Sequence, residues 1–113
     1  MKVIDVYKQY FGAECVYNGV PRKGAVVTLT ATSDCGQIKY EVGVTFFPYR
    51  DAEDFAISYD AYVSKEIYNA KGRRSKKREA EYLPKVQEYV DEIAVGIGGK
   101  VFWEKPLREA VYG

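Results

Sequence analysis

The clearest pattern in the chain lies at 37–47, where Ile38, Tyr40, Val42, Val44 and Phe46 alternate with Lys39, Glu41, Gly43 and Thr45. A period of two puts the two sets on opposite faces of a sheet, so the segment predicts a strand with one face buried. Pro48 sets its end, because proline cannot donate to a ladder. Upstream, "AVVTLTAT" at 25–32 is rich in β-branched residues and predicts a second strand, joined to the first by the turn "SDCG". Residues 13–19 predict a short strand, and Gly19, Pro21 and Gly24 mark the turn that follows.

A longer period governs the C-terminal third. Leu83, Val86, Val90, Ile93 and Ile97 step by three, four, three and four residues, with Lys85, Glu88, Asp91 and Glu92 turned away. That spacing predicts an amphipathic helix. Pro84 is expected in its first turn, where the missing amide hydrogen costs nothing, and Gly98 and Gly99 close the far end. At the N-terminus Val3, Tyr7, Tyr10 and Phe11 also fall at helical spacing, so 2–11 predicts a short helix stopped by Gly12. Phe55, Ile57 and Tyr59 predict a fourth strand. Between 60 and 70 the alternation fails, and Tyr59, Val63 and Ile67 fit a helix equally well, so the pattern leaves that stretch open. "KVFWE" at 100–104 predicts a last short strand. The expectation is a single α+β domain over 1–113. It has an antiparallel sheet of three to five strands, a short N-terminal helix, and a C-terminal amphipathic helix packed on one face.

Composition changes this picture little. A chain of 113 residues with 47% hydrophobic content can bury a core without disulfide or metal staples. No apolar run approaches the roughly 20 residues needed to span a bilayer. The opening "MKVIDVYKQYF" carries Asp5 and no apolar block, so it does not read as a signal peptide. Cys15 and Cys35 are expected as two buried or half-buried thiols and not as a bridge. The expected location is cytoplasmic, away from membranes.

Candidate chemistry is sparse. The chain has no histidine, which removes the commonest general base and metal ligand and every imidazole triad. Cys15 has no imidazole to activate it as a nucleophile. The glycines at 96, 98 and 99 follow a helix instead of a strand and lack a Gly-Lys-Ser/Thr element, so they read as a helix stop. Asp51, Glu53, Asp54 and Asp60 are the one candidate metal cluster, and a solvated turn between strands accounts for them better. The expectation is therefore no catalytic residue, no metal and no cofactor.

Charge supplies the one outstanding feature. Six of the eight residues at 71–78 are basic: Lys71, Arg73, Arg74, Lys76, Lys77 and Arg78. The whole chain carries 17 Lys and Arg against 16 Asp and Glu, so without this cluster the remainder is acidic. Such asymmetry focuses a local field even at near-zero net charge. Eleven tyrosines accompany it, and Tyr68 and Tyr82 flank the cluster. Three readings compete. One is a solvated connector into the helix, with an exposed Lys77–Glu81 pair contributing about 0.3–0.5 kcal/mol. Another is contact with nucleic-acid phosphates, with Tyr68 and Tyr82 as stacking platforms. The third is docking on an acidic protein surface, where Arg and Tyr are favoured anchors. Local stability does not select six clustered cations, which also sit badly near a helix N-terminus.

In general character, a chain of this size with no catalytic constellation, many tyrosines and a charge patch at 71–78 resembles the small orphan proteins of phages and mobile elements in Gram-positive bacteria. That group includes anti-CRISPR proteins. The resemblance implies a non-enzymatic binding protein, an inhibitor that blocks a nucleic-acid-targeting effector by direct contact. The expected partner is thus a protein, with nucleic acid as the alternative. The expected contact residues are Lys71, Arg73, Arg74, Lys76, Lys77, Arg78, Tyr68 and Tyr82.

Overall fold

The computed structural model describes residues 2–17, 19–47, 62–104 and 107, and only the backbone of 62–64 and 68–71. Residues Lys2–Tyr17 form strand β1, which replaces the short N-terminal helix expected at 2–11. The reason is a bulge. β1 pairs antiparallel with β2 (Val20–Asp34), with Asp5 opposite Thr30 and Tyr7 opposite Leu29, so Val6 is an extra residue. An inserted residue reverses the inward phase of a strand. Ile4 then stands opposite Ala31, Tyr7 opposite Leu29 and Phe11 opposite Ala25. Gln9, opposite Val27, shares that face, whereas Val3 and Tyr10 of the helical reading stand opposite Thr32 and Val26 on the other one, so the apparent helical stripe mixes the two faces of a bulged strand. A second register shift between Gly12 and Cys15 carries the strand through the glycine that reads as a stop.

Strand β3 (Gln37–Phe47) forms where the alternation predicts, with Tyr40, Val42, Val44 and Phe46 opposite Ala31, Leu29, Val27 and Ala25, although 42–47 are buried on both faces and not on one. Cys35 and Gly36 make the turn between them with φ of 51° and 76°. Two successive left-handed residues match the twist of the flanking strands. The stretch left open by sequence pattern is strand β4 (Tyr62–Lys71), antiparallel to β3. It too is bulged: Tyr68 faces Tyr40 while Glu66 faces Glu41, which leaves Ile67 extra. The strand expected at 55–59 lies outside the described residues.

Helix α1 (Lys76–Gly96) begins well before the predicted run, and Pro84 sits in its interior instead of its first turn. Ser75 caps it, its hydroxyl accepting from the Arg78 amide at 3.3 Å, while its carbonyl accepts the first helical bond from Glu79 at 2.9 Å. Strand β5 (Lys100–Phe102) then pairs with β1 at residues 12–14, giving an antiparallel sheet of order β4-β3-β2-β1-β5. Among the described residues no helix is long and apolar enough to cross a membrane.

One cluster joins Val27, Leu29, Val42, Val44 and Phe46 of the sheet to Leu83, Val86, Val90 and Ala94 of α1. The predicted stripe members Ile93 and Ile97 pack half-buried at its margin. Each fully buried aliphatic side chain contributes about 1.5–3 kcal/mol relative to exposure. The C-terminal segment is tied over this layer by Trp103, whose indole N–H donates to Asp91 Oδ1 at 2.7 Å and whose ring meets Phe11 edge-on. The other sheet face carries the Tyr10–Phe47 edge-to-face pair and the exposed Lys39–Glu41 ion pair.

Candidate binding surface

The basic segment is distributed over three structural contexts. Lys71 ends β4 opposite Gln37. Residues 72–75 form the connector, and Lys76, Lys77 and Arg78 are the first three residues of α1. Gly72 adopts φ +118°, a conformation that strains any L side chain, and its amide donates to the Gly36 carbonyl at 3.1 Å. The connector is thus clasped to the tip of the β2–β3 hairpin.

Below it lies a polar network. Glu79 is completely buried, and Arg74 meets it with two hydrogen bonds, Nε to Oε2 at 3.0 Å and Nη2 to Oε1 at 2.9 Å. Tyr40 donates its hydroxyl to the same Oε2 at 2.6 Å. Burial alone would push the Glu79 carboxyl up. The hydrogen bonds from Arg74 and Tyr40 and the nearby positive charge outweigh it and hold the carboxyl below its ordinary range. The Tyr40 phenol is shifted up, first by burial and then by the carboxylate it serves. The paired geometry favours a planar guanidinium over an ammonium. Arg74, with 35% of its side chain exposed, is therefore the structural member of the cluster.

The remaining cations divide by exposure. Arg73, Lys76 and Lys77 are exposed, and Arg78 is half-buried. Tyr82 is buried with its ring 5.2 Å from Tyr40, edge to face, and Lys85 approaches it at 6.0 Å. Of the flanking tyrosines, Tyr82 thus belongs to the core beneath the cluster. Tyr68 has its backbone opposite Tyr40, and the side chains of Tyr68 and Lys71 are outside the description.

Comparison with protein-family models, with curated proteins and with solved structures finds no match in any of the three. Geometry alone bears on function.

Glu79 is the functional neighbour that the sequence pattern missed. The signal was present: four residues before Leu83, Glu79 falls on the same helical stripe as Leu83, Val86 and Val90. An acid on an apolar stripe beside a run of cations predicts a buried ion pair. Elsewhere, Asp51, Glu53, Asp54 and Asp60 lie outside the described residues, and among those described no three His, Cys, Asp or Glu converge as metal ligands do. Both cysteines are free thiols. Cys15 is buried, which pushes its thiol up despite the neighbouring Arg22, whereas Cys35 is exposed at the hairpin tip.

Proposed function

We propose that this protein is a non-enzymatic binding protein that docks on an acidic protein surface through the corner where β4 passes into α1. One observation carries the reading. Lys76, Lys77 and Arg78 occupy the first turn of α1, next to the positive pole of the helix, where cations cost stability. The charge of Lys76 helps to hold the Glu79 carboxylate, whereas Lys77 at the same pole suits an acidic partner better than it suits the fold. The Arg74–Glu79–Tyr40 network and the Gly72–Gly36 bond fix the backbone beneath, so little ordering entropy opposes docking. In this reading Arg73, Lys76 and Lys77 meet the partner, and Arg74 holds the platform. The partner class follows the resemblance to mobile-element inhibitors: a nucleic-acid-targeting effector, blocked inside the cell by contact alone.

The test is affinity capture from host extract, with and without nuclease, using the native chain and the double variant Arg73→Glu, Lys77→Glu. Both side chains are exposed, so the fold should survive. A partner retained after nuclease and weakened at least about tenfold by the variant supports the reading. A partner held equally by the variant sinks it. Loss of all capture on nuclease treatment assigns the corner to nucleic acid instead.

A further inference from the structure

The sheet face turned away from α1 carries a slot of about 320 Å³ whose lining includes Tyr10, Gly12, Phe102 and Glu104. Register explains its position. Phe11, Ala13 and Val101 belong to the cluster beneath α1, so their strand neighbours Tyr10, Gly12 and Phe102 point to the other face. Gly12 stands opposite Phe102, and Tyr10 lies two residues before Gly12 on that same face. The two aromatic residues are thus diagonal neighbours, with backbones about 7–8 Å apart. Between them is a position with no side chain.

Gly12 is not required there for its backbone. The glycines with left-handed φ among the described residues are Gly19, Gly36, Gly72 and Gly98. What Gly12 contributes is the missing side chain, which leaves the space between the rings. Tyr10 is held from the far side by Phe47, with ring centroids 6.0 Å apart and planes nearly perpendicular. Phe102 has the Lys100 ammonium 5.5 Å from its centroid, so this ring already meets a cation. Lys100 stands opposite Glu14, on the side of Phe102 away from Tyr10, and the interval between the rings is left to a ligand. Glu104 is exposed and is the one charged side chain among the described lining residues.

We propose that this slot binds a small molecule through a quaternary ammonium group, at a site separate from the basic corner. The negative faces of two rings attract a cation, and the Glu104 carboxylate supplies the opposite charge. The shortage of acceptors selects the kind of cation. A guanidinium or a lysine ammonium brings several N–H donors, which a single carboxylate cannot satisfy once water is displaced. A trimethylammonium group has no donor to satisfy, and its methyls lie against the rings. Lys8 and Lys100 are exposed on the same face, and their charge opposes the ligand. Affinity is therefore expected on the order of millimolar.

The experiment is an amide NMR titration of the full chain with choline chloride. The controls are sodium chloride at matched ionic strength and dimethylbutanol, the neutral choline analogue with carbon in place of nitrogen. Saturable shifts centred on the amides of Tyr10, Gly12, Phe102 and Glu104 are expected, with choline bound about tenfold more tightly than the alcohol. Phe102→Leu should weaken choline about tenfold and Glu104→Gln about threefold, while Lys100→Gln should tighten it. Glu104 and Lys100 are exposed, so these two variants serve even if β5 tolerates no change at Phe102. Shifts that sodium chloride reproduces would overturn the proposal, as would equal binding of the neutral alcohol or unchanged binding in Glu104→Gln. Weaker binding in Lys100→Gln would overturn it too, because chloride would then be the ligand. None of these variants touches residues 73–78, so the docking reading and this one fail independently.

Discussion

At the N-terminal end of α1 a buried carboxylate, Glu79, is met by Arg74 and Tyr40 at hydrogen-bonding distance beneath exposed cations. At the C-terminal end a buried guanidinium, Arg22, stands in the wall of an open cleft beside Lys23 and Lys100. In the first region protein groups surround the buried charge, and Arg73, Lys76 and Lys77 are exposed around it. In the second the guanidinium is itself buried beside Cys15, and only Lys23 and Lys100 are exposed. The same residue types are therefore used differently: at one end cations stay outside a satisfied buried pair, and at the other the arginine is taken into the wall of the sheet.

The sharpest way to break this comparison is Glu79→Gln. It removes the charge that Arg74 answers and weakens the acceptor for Tyr40, and should cost about 2–3 kcal/mol in urea unfolding, somewhat less than a fully buried pair because Arg74 reaches water. At the other end Glu14 is exposed, and Glu14→Gln should stay within about 0.5 kcal/mol. Gly99→Ala should cost about 2 kcal/mol by forcing the turn away from Cys15, and the loss should appear first as weakened protection of the β1–β5 amides in hydrogen exchange.

Acid sharpens the difference further. Glu79 has a folded pKa below its ordinary value of 4.5, so its contribution is complete above that value and drains away as pH falls through the lower folded one. The native chain should lose urea resistance over that acid window more steeply than Glu79→Gln; parallel curves would remove the network from the account. Smallest is Ser75→Ala, which loses the cap on α1 and should cost about 1 kcal/mol by thermal unfolding.

How much of this was legible depended on whether the ladder kept its phase. β3 carries no extra residue, and its alternation reads directly from Ile38 to Phe46. Val6 in β1 and Ile67 in β4 each insert one residue, so the inward positions switch parity midway. The result was a helical spacing in one strand and an ambiguous one in the other. The body of α1 was plain from its apolar steps, while its start was hidden inside the basic cluster because Ser75 looked like one more polar connector residue. The basic corner was legible as composition. Its division of labour was not, since Tyr40 lies 39 residues before Glu79 and only tertiary packing brings them together.

The pairing of β1 with β5 also fixes an order of events. Residues 12–14 meet 100–102, so the ladder closes across nearly the whole described chain, whereas β1, β2 and β3 join through short local turns. Long closures carry the larger entropic cost and come late in folding. Strand β5 is therefore expected to dock last, and the space beside Gly99 to form only with it. Anything held there recognises the finished molecule, never a partly assembled one.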